Sequence, residues 1–204
     1  MYSIENKVLN KIYGHGRGWA FSQIDFATHG TRSAIDVALH RLVEKGTIRR
    51  VIRGIYDYPE YSNLLGKYLS PDIDKVGQAI ARKFSWRIQP SGPTALNVLR
   101  LSTQVPSKYV YLSDGPSKVF TVGRTTIKFK TTVLKEVGFK LHESALIVVA
   151  FRSLGKDRLT ADVINNTRKW LDPGNRSLVL KDTTKVTGWI YAAIRKVCLE
   201  GMDV

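Results

Sequence analysis

Residues 21–58, FSQIDFATHGTRSAIDVALHRLVEKGTIRRVIRGIYDY, contain the patterns of a short helix, a turn, a longer helix and a basic β-hairpin. Ser22 is a good N-cap for the short helix, and Asp25 lies three residues later, close to capping-box spacing. We expect His29-Gly30 to break this helix, because glycine adopts a left-handed turn conformation without steric cost. This order of elements predicts a winged helix-turn-helix, a DNA-binding device.

The longer helix is predicted by the spacing of its apolar residues. Thr31 or Ser33 can cap its start, and Gly46 ends it just after Lys45. One apolar stripe falls at positions i, i+3, i+4 and i+7 and consists of Ile35, Ala38, Leu39 and Leu42. The stripe indicates the face that packs on a core, which leaves the opposite face for solvent or for a partner.

That opposite face contains the first candidate contacts to DNA. In a helix-turn-helix the N-terminal part of the second helix meets the base edges, so Arg32 and Ser33 are the best candidates for reading bases. Val37 could touch a thymine methyl group, and His40 and Arg41 could reach a base or a phosphate.

The hairpin supplies further candidate contacts. Its tip is predicted at Arg53-Gly54, and Arg49, Arg50 and Arg53 lie where a wing would meet the phosphate backbone. Helix-turn-helix geometry also occurs in modules that never bind DNA, and a charged helix face is usually only exposed to solvent. The arginines of the hairpin and the positive charge of the whole chain favour DNA binding over this alternative. The complete predicted set is Arg17, Ser22, Gln23, Thr31, Arg32, Ser33, Val37, His40, Arg41, Lys45, Arg49, Arg50 and Arg53.

Four runs of sequence carry a resemblance to a known family. The runs are FSQIDF (21–26), ALHRLVEKGTIRR (38–50), RGIYDYP (53–59) and GPTALNVLRLSTQVP (92–106). The first three resemble the N-terminal domain of the AbiEi antitoxins, which belong to type IV toxin–antitoxin systems of abortive infection. The fourth resembles the start of the antitoxin's C-terminal domain. Together the matches span roughly residues 4 to 125, and beyond them the similarity is general.

The resemblance implies a function for each domain. The first would bind inverted repeats of double-stranded DNA in its own promoter and repress the operon, as a monomer in solution or cooperatively on DNA. The second would counteract a nucleotidyltransferase-like toxin without requiring a stable complex with it. Toxins of this kind carry a Gly-Ser pair followed by Asp-x-Asp, and this chain contains no Gly-Ser pair. The chain therefore resembles the antitoxin, and no enzymatic activity is expected.

The composition points to a polyanionic partner. The 204 residues include 32 Lys+Arg and 17 Asp+Glu, which gives a formal net charge of +15. The longest apolar run, Ala145 to Phe151, falls far short of the ~20 residues that span a bilayer, so a membrane partner is not expected. The single cysteine, Cys198, excludes an intrachain disulfide. No secretory leader is recognised, and a cytoplasmic location is the simplest expectation.

The predicted fold class is α+β, with a winged helix in residues 1–66 and a mixed α/β domain in residues 67–204. The second domain should have a small, largely antiparallel sheet and several helices. Its strand-like runs are Tyr109–Leu112, Lys118–Val122 and Thr126–Thr131, and its main helical runs start at Ser70, Gly92, Glu143, Thr160 and Thr183 or Thr184. Residues 1–66 have a net charge of +3 and the rest +12. The basic second domain therefore either contacts DNA or RNA, or carries lysines that only aid solubility.

Two other functions remain open. One is a stand-alone winged-helix transcriptional regulator whose second domain senses a ligand or dimerises. The other is a DNA-processing enzyme such as a nuclease, but the residues identify no catalytic set, no metal site and no cofactor. The four histidines are scattered, and no Gly-x-Ser-x-Gly turn occurs. Asp72 and Asp74 are the only tempting carboxylates, and the start of a helix explains them more simply.

Overall fold

The computed structural model describes residues 3–102, 107–132 and 139–199. The chain has the predicted α+β architecture, with helices and small antiparallel sheets. It divides into two compact units: the first comprises residues 1–87 and 120–127, and the second comprises residues 88–119 and 128–204. No helix among the described residues is both long enough and apolar enough to cross a membrane.

The first unit begins with three helical segments and a sheet. Its elements are α1 (Ile4–His15), β1 (Ala20–Phe21), a 3-10 helix (Gln23–Phe26), α2 (Arg32–Glu44), β2 (Arg49–Ile52), β3 (Ile55–Asp57), β4 (Tyr61–Ser62), β5 (Lys67–Tyr68) and α3 (Ile73–Phe84). Strand β3 lies between β1 and β2 in an antiparallel sheet, and β4 pairs with β5. The short helix, the longer helix and the hairpin thus follow each other as predicted.

The apolar stripe of α2 holds this unit together. Its four residues are at most 3% exposed, and they pack in one cluster with Phe21 and Phe26. The two phenylalanine rings meet edge to face, with centroids 5.4 Å apart. Gly46 follows the C-cap Lys45 with φ +67°, and Gly54 at the hairpin tip has φ +75°. Both glycines therefore adopt left-handed conformations at the predicted helix end and hairpin tip.

The backbone of Gly30 differs from the prediction: its φ is not positive, so the left-handed turn expected there is wrong. A Cβ atom built on Gly30 would lie 2.8 Å from Cδ1 of Ile4. The close approach of the first turn of α1 therefore explains why a glycine fits between the 3-10 helix and α2.

Helix α3 belongs to the first unit, whereas the sequence placed the boundary near residue 66. It packs on β1, β3 and the 3-10 helix through a face that includes Val76 and Ile80, both fully buried. Arg82 fastens its end by donating to the Asp25 carboxylate and the Ala20 carbonyl, each at 2.8 Å. With this division the first unit has 15 Lys+Arg against 8 Asp+Glu, a net charge of +7, and the second has +8.

The second unit combines a sheet with a helical core. Its elements are β6 (Ile88–Pro90), α4 (Gly92–Val98), β7 (Lys108–Ser113), β8 (Lys118–Val122), β9 (Thr125–Thr131), α5 (His142–Leu154), α6 (Ala161–Trp170), α7 (Arg176–Asp182) and α8 (Gly188–Leu199). The strand order is β6-β7-β9-β8, and the tip of the β8–β9 hairpin is grouped with the first unit. Helix α5 is buried along most of its length, and it confirms the helical run predicted from Glu143.

One predicted helix start in this unit is wrong. Thr183 does not open the final helix; it is the C-cap of α7, and its hydroxyl donates to the Val179 carbonyl at 2.8 Å. The final helix begins at Gly188. Threonine can bond to the carbonyl four residues earlier as readily as it caps a helix start, so its identity did not decide between the two. The predicted helix stop at Pro106 lies outside the described residues.

Candidate nucleic-acid interface

The N-terminal half of α2 presents a solvent-exposed face. Arg32, Ser33 and Val37 are exposed, and 48% of Val37 is accessible although it is an aliphatic residue on a helix. Thr31 is the N-cap residue, and its hydroxyl lies 3.4 Å from that of Ser33. The buried stripe on the opposite face fixes the rotation of the helix, so these side chains point away from the core.

Three cationic side chains from different elements lie near one another, and we call them the cationic cluster: Arg32 at the start of α2, Arg53 at the hairpin tip and Lys83 at the end of α3. The Lys83 ammonium donates to the Arg53 carbonyl at 3.3 Å. Partial burial, followed by the charges of Arg53 and Arg32, lowers the pKa of Lys83, although Asp36 acts in the opposite direction. Like charges in one region repel one another, and an anion bound among them would relieve that repulsion.

Sequence reasoning missed Lys83 as part of this site. The available signal was the group of basic residues at the end of α3, which includes Arg82 and Arg87 as well. The sequence pattern could not assign α3 to the first unit. It also could not show that Lys83 belongs to the cationic cluster while Arg82 donates hydrogen bonds to Asp25 and Ala20.

The guanidinium groups of three exposed residues are available to a partner. Arg32, Arg50 and Arg53 make no side-chain hydrogen bond or ion pair within the part of the chain that the structure describes. Arg50 lies on β2, where it is paired across the ladder with Tyr56. These predicted contacts therefore keep their donors exposed on the helix start and the hairpin.

Arg49, next to Arg50, has a different environment. Its guanidinium forms two hydrogen bonds to the Asp57 carboxylate, at 3.0 and 2.5 Å, and a third at 3.0 Å to the Leu69 carbonyl. Asp57 is 3% exposed. The N–H groups of the Arg49 guanidinium are therefore engaged within the first unit. An internal ion pair takes the place of the predicted phosphate contact.

Other predicted contacts are also engaged within the protein. Ser22 is fully buried, and its backbone N–H donates to the Asp25 carboxylate at 2.8 Å in the predicted capping box. The prediction that Ser22 contacts DNA is wrong, because the residue is fully buried at the N-cap of the 3-10 helix. Gln23 is half-buried in that helix. Arg17 donates to the Pro59 carbonyl at 2.8 Å and lies 4.6 Å from the centre of the Tyr58 ring.

The C-terminal half of α2 is largely charge-compensated. Glu5 on α1 accepts from Lys45 at 2.5 Å and lies 3.8 Å from Arg41, while His40 lies 3.4 Å from Glu44. A groove of about 420 Å³ runs beside these groups between α1 and α2, and Val37 and Glu5 are among its lining residues. The other arginine of α2, Arg32 at its N-terminal end, forms no ion pair among the described residues.

The carboxylates that suggested a nuclease have a structural role. Asp72 is the N-cap of α3, and its carboxylate accepts from the backbone N–H groups of Asp74 and Lys75 at 3.0 and 3.2 Å. Asp74 accepts from the Gln78 amide at 2.7 Å. Among the described residues, no group of three His, Cys, Asp or Glu side chains is placed to hold a metal ion.

Comparison with models of protein families gives a match over most of both units. No curated protein matches the chain. A family model matches residues 7–177, a range that includes the cationic cluster and the first helices of the second unit. The chain therefore belongs to DUF6088, a family of unknown function.

Proposed function

We propose that the first unit is a winged helix-turn-helix that binds duplex DNA, with α2 as the recognition helix and the β2–β3 hairpin as the wing. The observation that carries the proposal is the cationic cluster, in which a helix start, a hairpin tip and a helix end contribute one cation each. The net charge of +7 on this unit supports a polyanionic partner.

The contacts divide into two classes. Arg32, Ser33 and Val37 lie at the exposed start of α2, where recognition helices meet base edges, so they would read sequence. Arg50, Arg53 and Lys83 lie on or beside the hairpin and would contact phosphates. Base contacts set sequence preference, while phosphate contacts set the salt dependence of binding.

For the whole chain, we propose a repressor and antitoxin of a type IV toxin–antitoxin system. The support is the resemblance of residues 21–59 and 92–106 to the AbiEi antitoxins. The winged helix would repress the promoter of its own operon, and the second unit would counteract a nucleotidyltransferase-like toxin. Co-expression with such a toxin encoded beside this chain tests the second part: growth should be restored, and persistent growth arrest would remove the antitoxin role.

The DNA-binding proposal is tested by titrating the full chain against two duplexes in a mobility-shift assay. One duplex is the DNA upstream of its own gene, and the other is an unrelated duplex of equal length. We expect the logarithm of the binding constant to fall linearly with the logarithm of salt concentration, with a slope of roughly −3 to −4 for three or four phosphate contacts. The upstream duplex should bind at least ~10³-fold more tightly. Equal affinity for both would remove the repressor role, and no binding at low salt would remove DNA binding.

Glu5→Gln is expected to strengthen DNA binding several-fold at low salt. The substitution removes the carboxylate that pairs with Lys45 and Arg41, so two cations of α2 become available to phosphates. The gain should fade as the salt concentration rises, since a Debye length of about 10 Å at 0.1 M screens exposed charges. A salt series with Glu60→Gln as the charge-matched control checks this, and equal gains for both variants would show that only total charge matters.

A further inference from the structure

A groove in the second unit has the size of a small-molecule site. It lies between α6 and α8, and its volume is about 690 Å³. Cavities that bind small molecules in proteins usually measure about 300–1,000 Å³. The groove belongs wholly to the second unit, so it is separate from the surface proposed to bind DNA.

The polar lining of the groove is cationic. Lys156 precedes α6, and Lys196 lies in the last turn of α8. Within the described ranges of the chain, neither ammonium group has an ion pair or a hydrogen bond to a side chain. The nearby acids Asp157 and Asp162 are not among the lining residues. Two ammonium groups on one groove favour an anionic ligand with several charges.

Arg168 holds the two walls of the groove together. It donates to the Asn165 side-chain oxygen at 3.2 Å, to the Val197 carbonyl at 3.1 Å and to the Lys196 carbonyl at 2.6 Å. The Asn165 oxygen accepts this hydrogen bond, and its amide N–H groups are donors that a ligand can use. The Asn165 side chain and the backbone of α8 at Lys196 are thus held in place before a ligand arrives, which lowers the cost of ordering Asn165 on binding.

The remaining lining is apolar and includes one large aromatic ring. Trp189 is half-buried in the groove, and Leu159 and Ile164 line it as well. A bare phosphate would leave these walls without contacts, and an uncharged aromatic molecule would leave both ammonium groups without a partner. We propose that the groove binds a nucleoside phosphate, with the base against Trp189 and the phosphates between Lys156 and Lys196.

The proposal is tested by calorimetric titration of the full chain with ATP and GTP, alongside inorganic tripolyphosphate and adenosine. One nucleotide should bind per chain, at least about tenfold more tightly than either fragment, because only the nucleotide engages both the ring and the cations. Equal affinity for tripolyphosphate and both nucleotides would overturn the proposal, since binding would then be a matter of charge alone. Absence of nucleotide binding would overturn it as well.

Substitutions separate the groove from other basic surfaces. Lys156→Gln and Lys196→Gln should each weaken nucleotide binding about five- to tenfold, while Lys169→Gln on the exposed side of α6 should not change it. Trp189→Leu should lower the affinity for the nucleotide to about the affinity for tripolyphosphate. Should that variant unfold, Asn165→Asp adds a repelling charge with little change in volume, and it should weaken binding at least about tenfold. Unchanged affinity in the lysine variants would place the ligand elsewhere.

Two controls identify the site and the source of the ligand. The double variant Arg32→Gln/Arg53→Gln should keep its nucleotide affinity, and a loss there would assign the ligand to the cationic cluster and overturn the groove. A nucleoside phosphate can be a free nucleotide or the end of an RNA strand. Competition by a short 5′-phosphorylated oligoribonucleotide, lost in Trp189→Leu, would support the groove with an RNA end as its source; nucleotide binding without such competition would support a free nucleotide.

Discussion

Arg49→Ala is expected to lower the free energy of unfolding of the first unit by about 2–3 kcal/mol, a destabilisation at or below the lower end for a broken buried ion pair. Asp57 is only 3% exposed, and the substitution leaves its buried carboxylate without the guanidinium that pairs with it. The substitution also removes the hydrogen bond to the Leu69 carbonyl. A third of the Arg49 side chain is exposed, which moderates the effect because water can reach the site. Urea unfolding followed by tryptophan fluorescence measures it, with Trp19 and Trp86 reporting on this unit.

Arg50→Ala is the matched control for this prediction. The two arginines are neighbours on β2, but Arg50 is exposed and its change should alter the free energy of unfolding by less than about 0.5 kcal/mol. The effects on DNA should be reversed, since folded Arg49→Ala should keep most of its affinity while Arg50→Ala should reduce the salt slope by about 1. Equal stability of the two variants would show that the Arg49–Asp57 pair contributes little to folding.

Arg32→Gln combined with Arg53→Gln is expected to weaken binding to the specific duplex by roughly 2–4 kcal/mol, or about 30- to 1,000-fold. Arg32 is the base-reading candidate, worth about 1–3 kcal/mol, and Arg53 is the phosphate candidate, worth about 1 kcal/mol. The singles should differ in kind: Arg32→Gln should reduce the preference for the specific sequence, and Arg53→Gln should weaken all duplexes alike. Mobility-shift titrations on specific and unrelated duplexes at several salt concentrations measure both.

The control for this pair is Lys7→Gln combined with Lys67→Gln, which removes the same charge from exposed positions outside the cationic cluster. If the control weakens binding as much as the test variant, the contact is set by total charge and the assignment of α2 as a recognition helix fails. Neither variant should change stability appreciably, because none of the four side chains is buried.

Local structure in the first unit could be predicted from sequence because its determinants are close together in the chain. The capping pair Ser22 and Asp25, the stripe at 3.6-residue spacing in α2 and the glycine at the hairpin tip each act within a few residues. The same locality explains the failure at Thr183. Its side chain bonds to a carbonyl in the preceding turn, and a threonine between two helices is compatible with the end of one or the start of the other.

The sequence by itself determined the short helix, the longer helix and the β2–β3 hairpin of the first unit, the burial of the α2 stripe and the excess of positive charge. Only the tertiary structure decided which cations face solvent: it directs Arg49 inward to Asp57 and Leu69, and it brings Lys83 to Arg53. The reason is that the exposure of a guanidinium or ammonium group depends on partners 8 to 30 residues away along the chain. Hydrophobic periodicity orients one element against a core, but it does not identify the elements that meet there.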